Sequence, residues 1–525
     1  MAKPTPAILA LLLVVASSRA QTFPDVQIFA GAPGTGSSSS CCEVVDLGDL
    51  DGDLIDDFGV AGLSFVHHST TNFATPLQDI VFPGLVRGAY RIIALPDLDG
   101  DGFPDFAYIM LNTFLGNPTT LMYIASGLTT ATVATIPLPS ATSFAPQSIR
   151  IAAIGDRNGD GTTDYVLTYV SRVSELPLIL DSRIDTVDGT TFTPAPFLTF
   201  PNVALPSGGL FLVGDVDGDG IGDFVSGSPL TSALVGHGGS TSVFSGATGA
   251  GIRNWLGQTA SEQLGATIVP LDDIDGDGLL DVASFAPGAA PAGRVWFFSP
   301  GSGLAVGSIT PPAGDELRAL FAAGDMDGDG FRDLVIELWD PVQFAAHREL
   351  RSGTSGEFIT SLPASVYPVG DVNGDGLSDA LEIVPVSTGG VVVPTFHRRT
   401  LIGAQSYGSG VGGRQLAWQP SPSTPATGIL RFSGAASFAP LFAAVSLQPA
   451  ATTIAGTPFP LLISNAPNDL VATFNHVADG VGEHVDFIDL RIPALGGLVF
   501  YLQFAELGAN PGTSNAVEMM FGPQY

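Results

Sequence analysis

The chain has 525 residues, too many for one average core of about 150 residues, so it holds several domains or one large repetitive β architecture. Two cysteines exclude a disulfide-stapled or thiolate-metal framework for the whole molecule, and 45% hydrophobic residues with a mean hydropathy of +0.34 exclude a disordered chain. The formal charge of −32, from 51 acidic and 19 basic residues, argues against nucleic acid as a partner, because phosphate neutralisation needs clustered lysine and arginine. Glycine and proline together make up 105 residues, which predicts many turns and hence many short strands.

Residues 1–20 read as a secretory signal peptide: Lys3 supplies the basic start, Ala7 to Ala16 the apolar run, and Ser18 and Ala20 the small residues before a cut. The run is shorter than the ~18 residues of a spanning helix, so the expectation is an exported chain, extracellular or periplasmic, with no membrane span. Cys41 and Cys42 follow; they fit a vicinal or intermolecular disulfide, and equally two thiols on opposite faces of a strand. His67 and His68 would also face opposite ways on a strand, which disfavours a shared metal.

From residue 49 onward one nine-residue pattern, D-x-[DN]-G-D-x-x-x-D, recurs seven times, with spacings of 48, 59, 59, 58, 52 and 46 residues. That period is the span of a four-stranded propeller blade. Apolar, β-branched and aromatic runs flank most copies, such as Ile92 to Leu95 and Phe106 to Met110, so each loop reads as a hairpin tip between strands. A downstream echo, Val243 to Gly249, Trp296 to Gly303 and Leu350 to Gly356, reads as a third strand with its turn. The fold expected is all-β, a seven-bladed β-propeller closed by a strand near Asp25 to Ala30, followed by a small C-terminal β-sandwich.

Oxygen donors at positions 1, 3, 5 and 9 of a tight turn, with the carbonyl of position 7, form a hard ligand set of flexible geometry, which suits Ca²⁺ better than Mg²⁺. The expected ligands are Asp49, Asp51, Asp53 and Asp57 in loop 1 and Asp97, Asp99, Asp101 and Asp105 in loop 2. Loop 3 offers Asp156, Asn158, Asp160 and Asp164, and loop 4 Asp215, Asp217, Asp219 and Asp223. Loop 5 offers Asp273, Asp275, Asp277 and Asp281, loop 6 Asp325, Asp327, Asp329 and Asp333, and loop 7 Asp371, Asn373, Asp375 and Asp379. These hold 26 of the 51 acidic residues, and like charges so close repel unless a cation joins them. An EF-hand is the nearer rival, but it needs a Glu at position 12, where loop 2 has Tyr108, and flanking helices. Catalytic carboxylate pairs are the other rival.

These loops resemble those of FG-GAP repeat proteins, the family of the integrin α-subunit propeller. The name motifs are present in degraded form as Leu264-Gly265 and Ala286-Pro287-Gly288 around loop 5, and as Phe58-Gly59 and Ala61-Gly62 after loop 1. The resemblance spans roughly residues 25 to 400 and implies up to seven Ca²⁺ at one face of a seven-bladed ring. Leu54 stands where the other loops have Gly at position 6, so loop 1 is expected to be the weakest site.

The expected organisation is signal peptide 1–20, propeller 21–400 and a β-rich domain 401–525. In the last segment Leu441 to Leu447, Pro460 to Ile463 and Leu498 to Phe504 read as strands, with Gly/Ser/Pro clusters at 406–413 and 420–428. The stretches LLISNAP, GGLVFYLQF and TSNAVEM resemble the terminal domain of secreted bacterial repeat proteins. Trp255, Trp296 and Trp339 are expected in blade cores. The functional expectation is a binding or adhesion scaffold for a protein or glycan. The alternative is a carbohydrate-active lyase or hydrolase drawing its acid and base from Glu175, Glu262, Glu316, Glu349 or Asp340, or from Tyr and His.

Overall fold

Runs such as Phe106-Ala107-Tyr108-Ile109 and Phe224-Val225 lack the polar alternation of a half-exposed strand, and in the computed structural model they are strands buried on both faces. The structure describes residues 26–30, 43–61, 65–67, 91–112, 119–138, 149–175, 178–200, 209–232, 234–372, 376–388 and 391–399. Beyond these it describes the C-terminal strands given below, with residues 434–436, 439, 478 and 483. Among the described residues there is no helix, and none long and apolar enough to cross a membrane.

A first strand, β1 (Val26–Ala30), precedes seven antiparallel sheets. Blade 1 contains β2 (Glu43–Gly48), β3 (Asp57–Ala61) and β4 (Phe65–His67). Blade 2 contains β5 (Arg91–Leu95), β6 (Asp105–Asn112), β7 (Thr119–Ala125) and β8 (Thr132–Pro137). Blade 3 contains β9 (Arg150–Gly155), β10 (Asp164–Glu175), β11 (Leu178–Val187) and β12 (Pro194–Phe200). Blade 4 contains β13 (Leu210–Gly214), β14 (Asp223–Ser228), β15 (Ser240–Phe244) and β16 (Gly251–Leu256). Blade 5 contains β17 (Thr267–Pro270), β18 (Val282–Ala286), β19 (Arg294–Phe298) and β20 (Ala305–Ile309). Blade 6 contains β21 (Glu316–Ala322), β22 (Leu334–Asp340), β23 (Ala345–Arg351) and β24 (Phe358–Leu362). Blade 7 contains β25 (Val366–Pro368), β26 (Ala380–Thr388) and β27 (Val391–Arg399), and β1 pairs along β27 with Val26 opposite Arg398 and Ala30 opposite Thr395.

Each Asp loop joins the first and second strands of its own blade, so the sequence period and the blade coincide. The first strands are the inner ones: β2 packs on β5, β5 on β9, β9 on β13, β13 on β17 and β17 on β21, while β25 packs back on β2. The core lies between blades rather than within them. Ile109, Met122 and Ile124 of blade 2 meet Ile151, Tyr165 and Leu167 of blade 3, and Phe285 and Phe297 of blade 5 meet Leu320 and Ile336 of blade 6. A blade therefore cannot bury its faces alone, which is why the repeats close into a ring.

Position 8 of the loops stitches neighbours together. Its N–H donates to the preceding blade from Gly222 to Ile154 O (2.9 Å), from Leu280 to Val213 O (3.1 Å), and from Ser378 to Asp325 O (2.9 Å). Arg332 N–H reaches Asp272 Oδ2 in the same way (2.6 Å). Loop 2 has Pro104 there, without an N–H, and its ring sits beneath Gly48 instead.

The C-terminal strands form a five-stranded sheet in the order β28 (Gly403–Tyr407), β37 (Gly512–Met520), β36 (Val499–Glu506), β31 (Pro440–Ser446) and β34 (Leu470–Val477). A second sheet holds β29 (Gln415–Ser421), β30 (Thr424–Ser433) and β35 (His484–Asp489), and β32 (Pro449–Thr453) pairs with β33 (Pro460–Ile463). Phe432 of the second sheet stacks on Phe504 of the first at 5.3 Å, so two sheets share one core, as expected of a sandwich. Of the cluster at 420–428, the described residues lie in strands: Ser421 pairs with Thr424, and Thr427 with Asp489.

Candidate metal centres

The sequence of loops 1 to 6 folds each around its own first aspartate. Position 1 accepts the N–H of position 4 on Oδ1 and of position 6 on Oδ2, as at Asp97 from Gly100 (2.7 Å) and Gly102 (2.9 Å), and at Asp273 from Gly276 and Gly278 (both 2.7 Å). Position 5 accepts the N–H of position 7 on Oδ1, for example Asp277 from Leu279 at 2.9 Å. This winding needs positive φ at position 6, and Gly102 (95°) through Gly376 (87°) supply it. Leu54 adopts the same state with φ 68° and still donates to Asp49 Oδ2 at 2.9 Å, 85% exposed. Loop 1 keeps its turn at a strain of about 1–2 kcal/mol.

Position 9 heads the second strand and is buried. Its Oδ2 accepts the N–H of position 2 in loops 1 to 6, as in Asp105 from Leu98 (2.7 Å) and Asp333 from Met326 (3.0 Å). In blades 2, 3 and 4 its Oδ1 takes a second N–H, from Gly127, Gly189 and Gly246 (each 3.0 Å), in the turn after the third strand. Blade 5 has Pro300 at that place, with no N–H to give, and Asp281 Oδ1 is buried without a hydrogen bond. Asp333 Oδ1 in blade 6 is likewise buried and unpartnered.

Among the described residues, five loops draw three carboxylates together so that one oxygen from each lies within 4.8 Å of the others. The sets are Asp49, Asp51 and Asp53; Asp97, Asp99 and Asp105; Asp215, Asp217 and Asp223; Asp273, Asp275 and Asp281; and Asp325, Asp327 and Asp333. Positions 1, 3 and 9 converge in four of them, while loop 1 uses position 5 in place of position 9. The charge crowding and burial disfavour the ionised carboxylates. Burial, then Asp275, Asp277 and Asp273, push the Asp281 carboxyl up to about 6. Burial and then Asp327 hold Asp333 well above the carboxylate range, and burial also raises Asp105, Asp223 and Asp325. Unpaired buried carboxylate oxygens facing other carboxylates are what a hard cation would satisfy, so these residues fit a metal ion.

Loop 3 has Asn158 at position 3, so it has no third carboxylate to bring to positions 1, 3 and 9. In loop 7, Asp371 accepts the Gly376 N–H at 2.6 Å and Asp379 is buried, while Asn373 and Asp375 lie outside the described residues, as do Cys41, Cys42, His68 and the first 25 residues.

Residues 273–336, which span loops 5 and 6, match the family model described as FG-GAP-like repeat. That stretch of the chain is similar to FG-GAP-like repeats. A solved structure, the crystal structure of BBS1N in complex with ARL6DN, soaked with lead, aligns over 72% of this chain and 96% of that one at 10% identity, with a TM-score of 0.35, a superposition too loose to bear on this chain.

The carboxylates outside the seven Asp loops are largely engaged in structure. Glu262 Oε2 caps a turn through Gln258 N–H (2.7 Å) and Thr259 N–H (2.9 Å). Asp340 does so through Val342 and Gln343, while Glu316 pairs with Arg318 and Glu349 with Arg351. Glu175 lies on β10 opposite Leu178. Trp255 and Trp296 are half-buried and stack on Phe298 between blades 4 and 5, at 4.6 and 6.4 Å, and Trp339 on β22 is half-buried too. Sequence reasoning missed the position-8 stitch and the acid Asp188 beside loop 3. The recurrence of Ser-Gly at 126, 245 and 352, with Asp188-Gly189 in the same slot, is the signal that could have found the second.

Proposed function

We propose that the chain is exported, binds Ca²⁺ in its FG-GAP loops, and uses the opposite face of the disc as a scaffold for a protein or glycan partner. The observation that carries this reading is the gathering of carboxylates in the loops at one end of the strands, opposite hairpins free for other contacts. Those hairpins, between second and third strands, expose Val342 (83%) and Phe344 (78%) on blade 6 and Leu234 (56%) on blade 4, while the loop end also exposes Leu54 and Leu304. The division of the chain into propeller 21–400 and C-terminal domain 401–525 belongs to the same proposal.

Calcium, when bound, supplies the positive charge that lets three or four carboxylates share one turn. The chain's own residues do the rest: position 1 winds the loop, position 9 ties it to the second strand, and position 8 ties it to the next blade. A rigid rim then holds the far hairpins in fixed relation, and a preorganised surface binds at lower entropic cost.

The test is retention of a panel of polysaccharides and glycoproteins on the immobilised full chain, with and without Val342→Ser/Phe344→Ser. Retention lost in that variant at unchanged melting temperature supports the scaffold. Release of shortened polysaccharide products, abolished by replacing a carboxylate outside the FG-GAP loops, would replace it with an enzyme.

A further inference from the structure

Loop 3 is built differently from its neighbours. In blades 2, 4, 5 and 6 the residue after the third strand is Ser126, Ser245, Ser299 or Ser352, and its Oγ accepts the N–H three residues on. In blades 2 and 5 that hydroxyl also donates to position 5, Ser126 to Asp101 (3.3 Å) and Ser299 to Asp277 (3.2 Å). Blade 3 has Asp188, whose Oδ1 takes over the turn by accepting from Thr190 N–H (3.0 Å) and Thr191 N–H (2.7 Å).

The second oxygen of Asp188 meets the Nδ2 of Asn158 at 2.9 Å, and the same Nδ2 donates to Asp160 Oδ2 at 3.2 Å. The amide faces this way because Asn158 Oδ1 accepts the Asp160 N–H at 2.9 Å. Asp160 also receives Thr162 Oγ1 (2.5 Å), Thr162 N–H (2.9 Å) and Thr190 Oγ1 (2.9 Å). Loop 3 places an amide between Asp160 and Asp188 and a hydroxyl on each oxygen of Asp160, and the Oδ2 of its position-9 Asp164 accepts the N–H groups of both Arg157 and Asn158, its Oδ1 that of Gly189. Four donors satisfy Asp160, and one bridges it to Asp188.

We infer that loop 3 holds its shape without a divalent cation, because the Asn158 amide and the Thr162 and Thr190 hydroxyls satisfy Asp160 and Asp188 within the protein and Asp164 is left with no orphaned oxygen. This rests on the reading that those other loops bind calcium. Its consequence is a ring in which blade 3 stays ordered when calcium is withdrawn, while blades 5 and 6, with their unpartnered buried carboxylate oxygens, loosen.

The test is peptide-resolved hydrogen exchange on the full chain in Ca²⁺ and in EDTA. Exchange at 156–164 and 188–191 is expected to change less than about twofold, against about tenfold or more at 273–281 and 325–333. A response at 156–164 as large as at 273–281 overturns the inference and leaves the calcium reading standing; no response anywhere, with no calcium found by native mass spectrometry, overturns the calcium reading. Asn158→Asp/Asp188→Ser restores the acid and serine pattern of the neighbouring blades and is expected to raise the bound Ca²⁺ by one per chain. An unchanged count would refute the assignment of ion exclusion to these two residues.

Discussion

Asp56 and Asp371, 315 residues apart, exchange two hydrogen bonds: the Asp56 N–H donates to Asp371 O at 2.8 Å, and the Asp371 N–H returns to Asp56 Oδ2 at 2.7 Å. Loop 1 and loop 7 are thereby locked side by side, at the seam where the chain's first and last blades meet. The same contact is the position-8 stitch of the other blades with a side-chain bond added.

Removing that side chain should therefore weaken the whole ring. Asp56→Ala is expected to cost about 1–3 kcal/mol, since it takes away a charge-assisted acceptor and leaves a main-chain N–H without its partner, whereas Asp56→Asn keeps an acceptor and should cost less. Thermal melting in saturating Ca²⁺ checks both; an alanine variant that melts with the wild type would mean that the seam carries no load.

Deleting residues 21–30 removes β1 and leaves β27 as a free edge. The truncated chain is expected to self-associate through that edge and to melt over a broader range, seen by size-exclusion chromatography and calorimetry. A monodisperse, cooperative truncation would contradict closure by β1.

Asp333→Asn offers a test by sign. Without calcium the wild-type carboxyl must take up a proton to fold, because burial and Asp327 disfavour its charge, and the neutral amide needs none, so the variant in EDTA should be more stable than wild type by about 1–3 kcal/mol. In Ca²⁺ the same change removes a ligand oxygen's charge and should destabilise by a similar amount. A shift of the same direction in both conditions would show that the carboxylate is structural alone.

The pH dependence follows from Asp281, whose carboxyl sits at about 6 in the metal-free fold against 3.8 ordinarily. A raised carboxyl gives the folded state an advantage in binding a proton that is full below about 3.8 and is lost as pH rises through about 6. EDTA-treated protein should accordingly gain stability as pH falls from about 7 to about 5, and the increment contributed by calcium should shrink over that window as protons compete for the same oxygens. Melting curves at four pH values with and without Ca²⁺ decide it; metal-free stability that falls with pH across this window would refute the assignment.

The blades were legible because their signal is local. Asp, Gly and Asp at fixed offsets specify a turn through hydrogen bonds within nine residues, and flanking runs such as Leu334-Val335-Ile336 specify a strand buried on both faces. Closure by Val26–Ala30 could be expected because an open ring leaves two edges. The parts that could not be read depend on residues far apart in sequence. Pro300 orphans Asp281 Oδ1 only because the turn after β19 lies over loop 5, and Asp188 reaches Asn158 only because β11 returns beside β10. Leu54 raised doubt as a non-glycine at position 6, yet its N–H keeps the bond to Asp49, since backbone strain of this size is offset by the rest of the loop.

The most direct test of the account is the calcium stoichiometry of the full chain, measured by native mass spectrometry after EDTA treatment and titration, alongside its melting temperature. Five loops with gathered carboxylates predict at least five Ca²⁺ per chain and a rise in melting temperature on binding, with about 2.7 kcal/mol gained per site at a hundredfold excess over Kd. Fewer than two Ca²⁺ per chain, with the same melting temperature in Ca²⁺ and in EDTA, would contradict it.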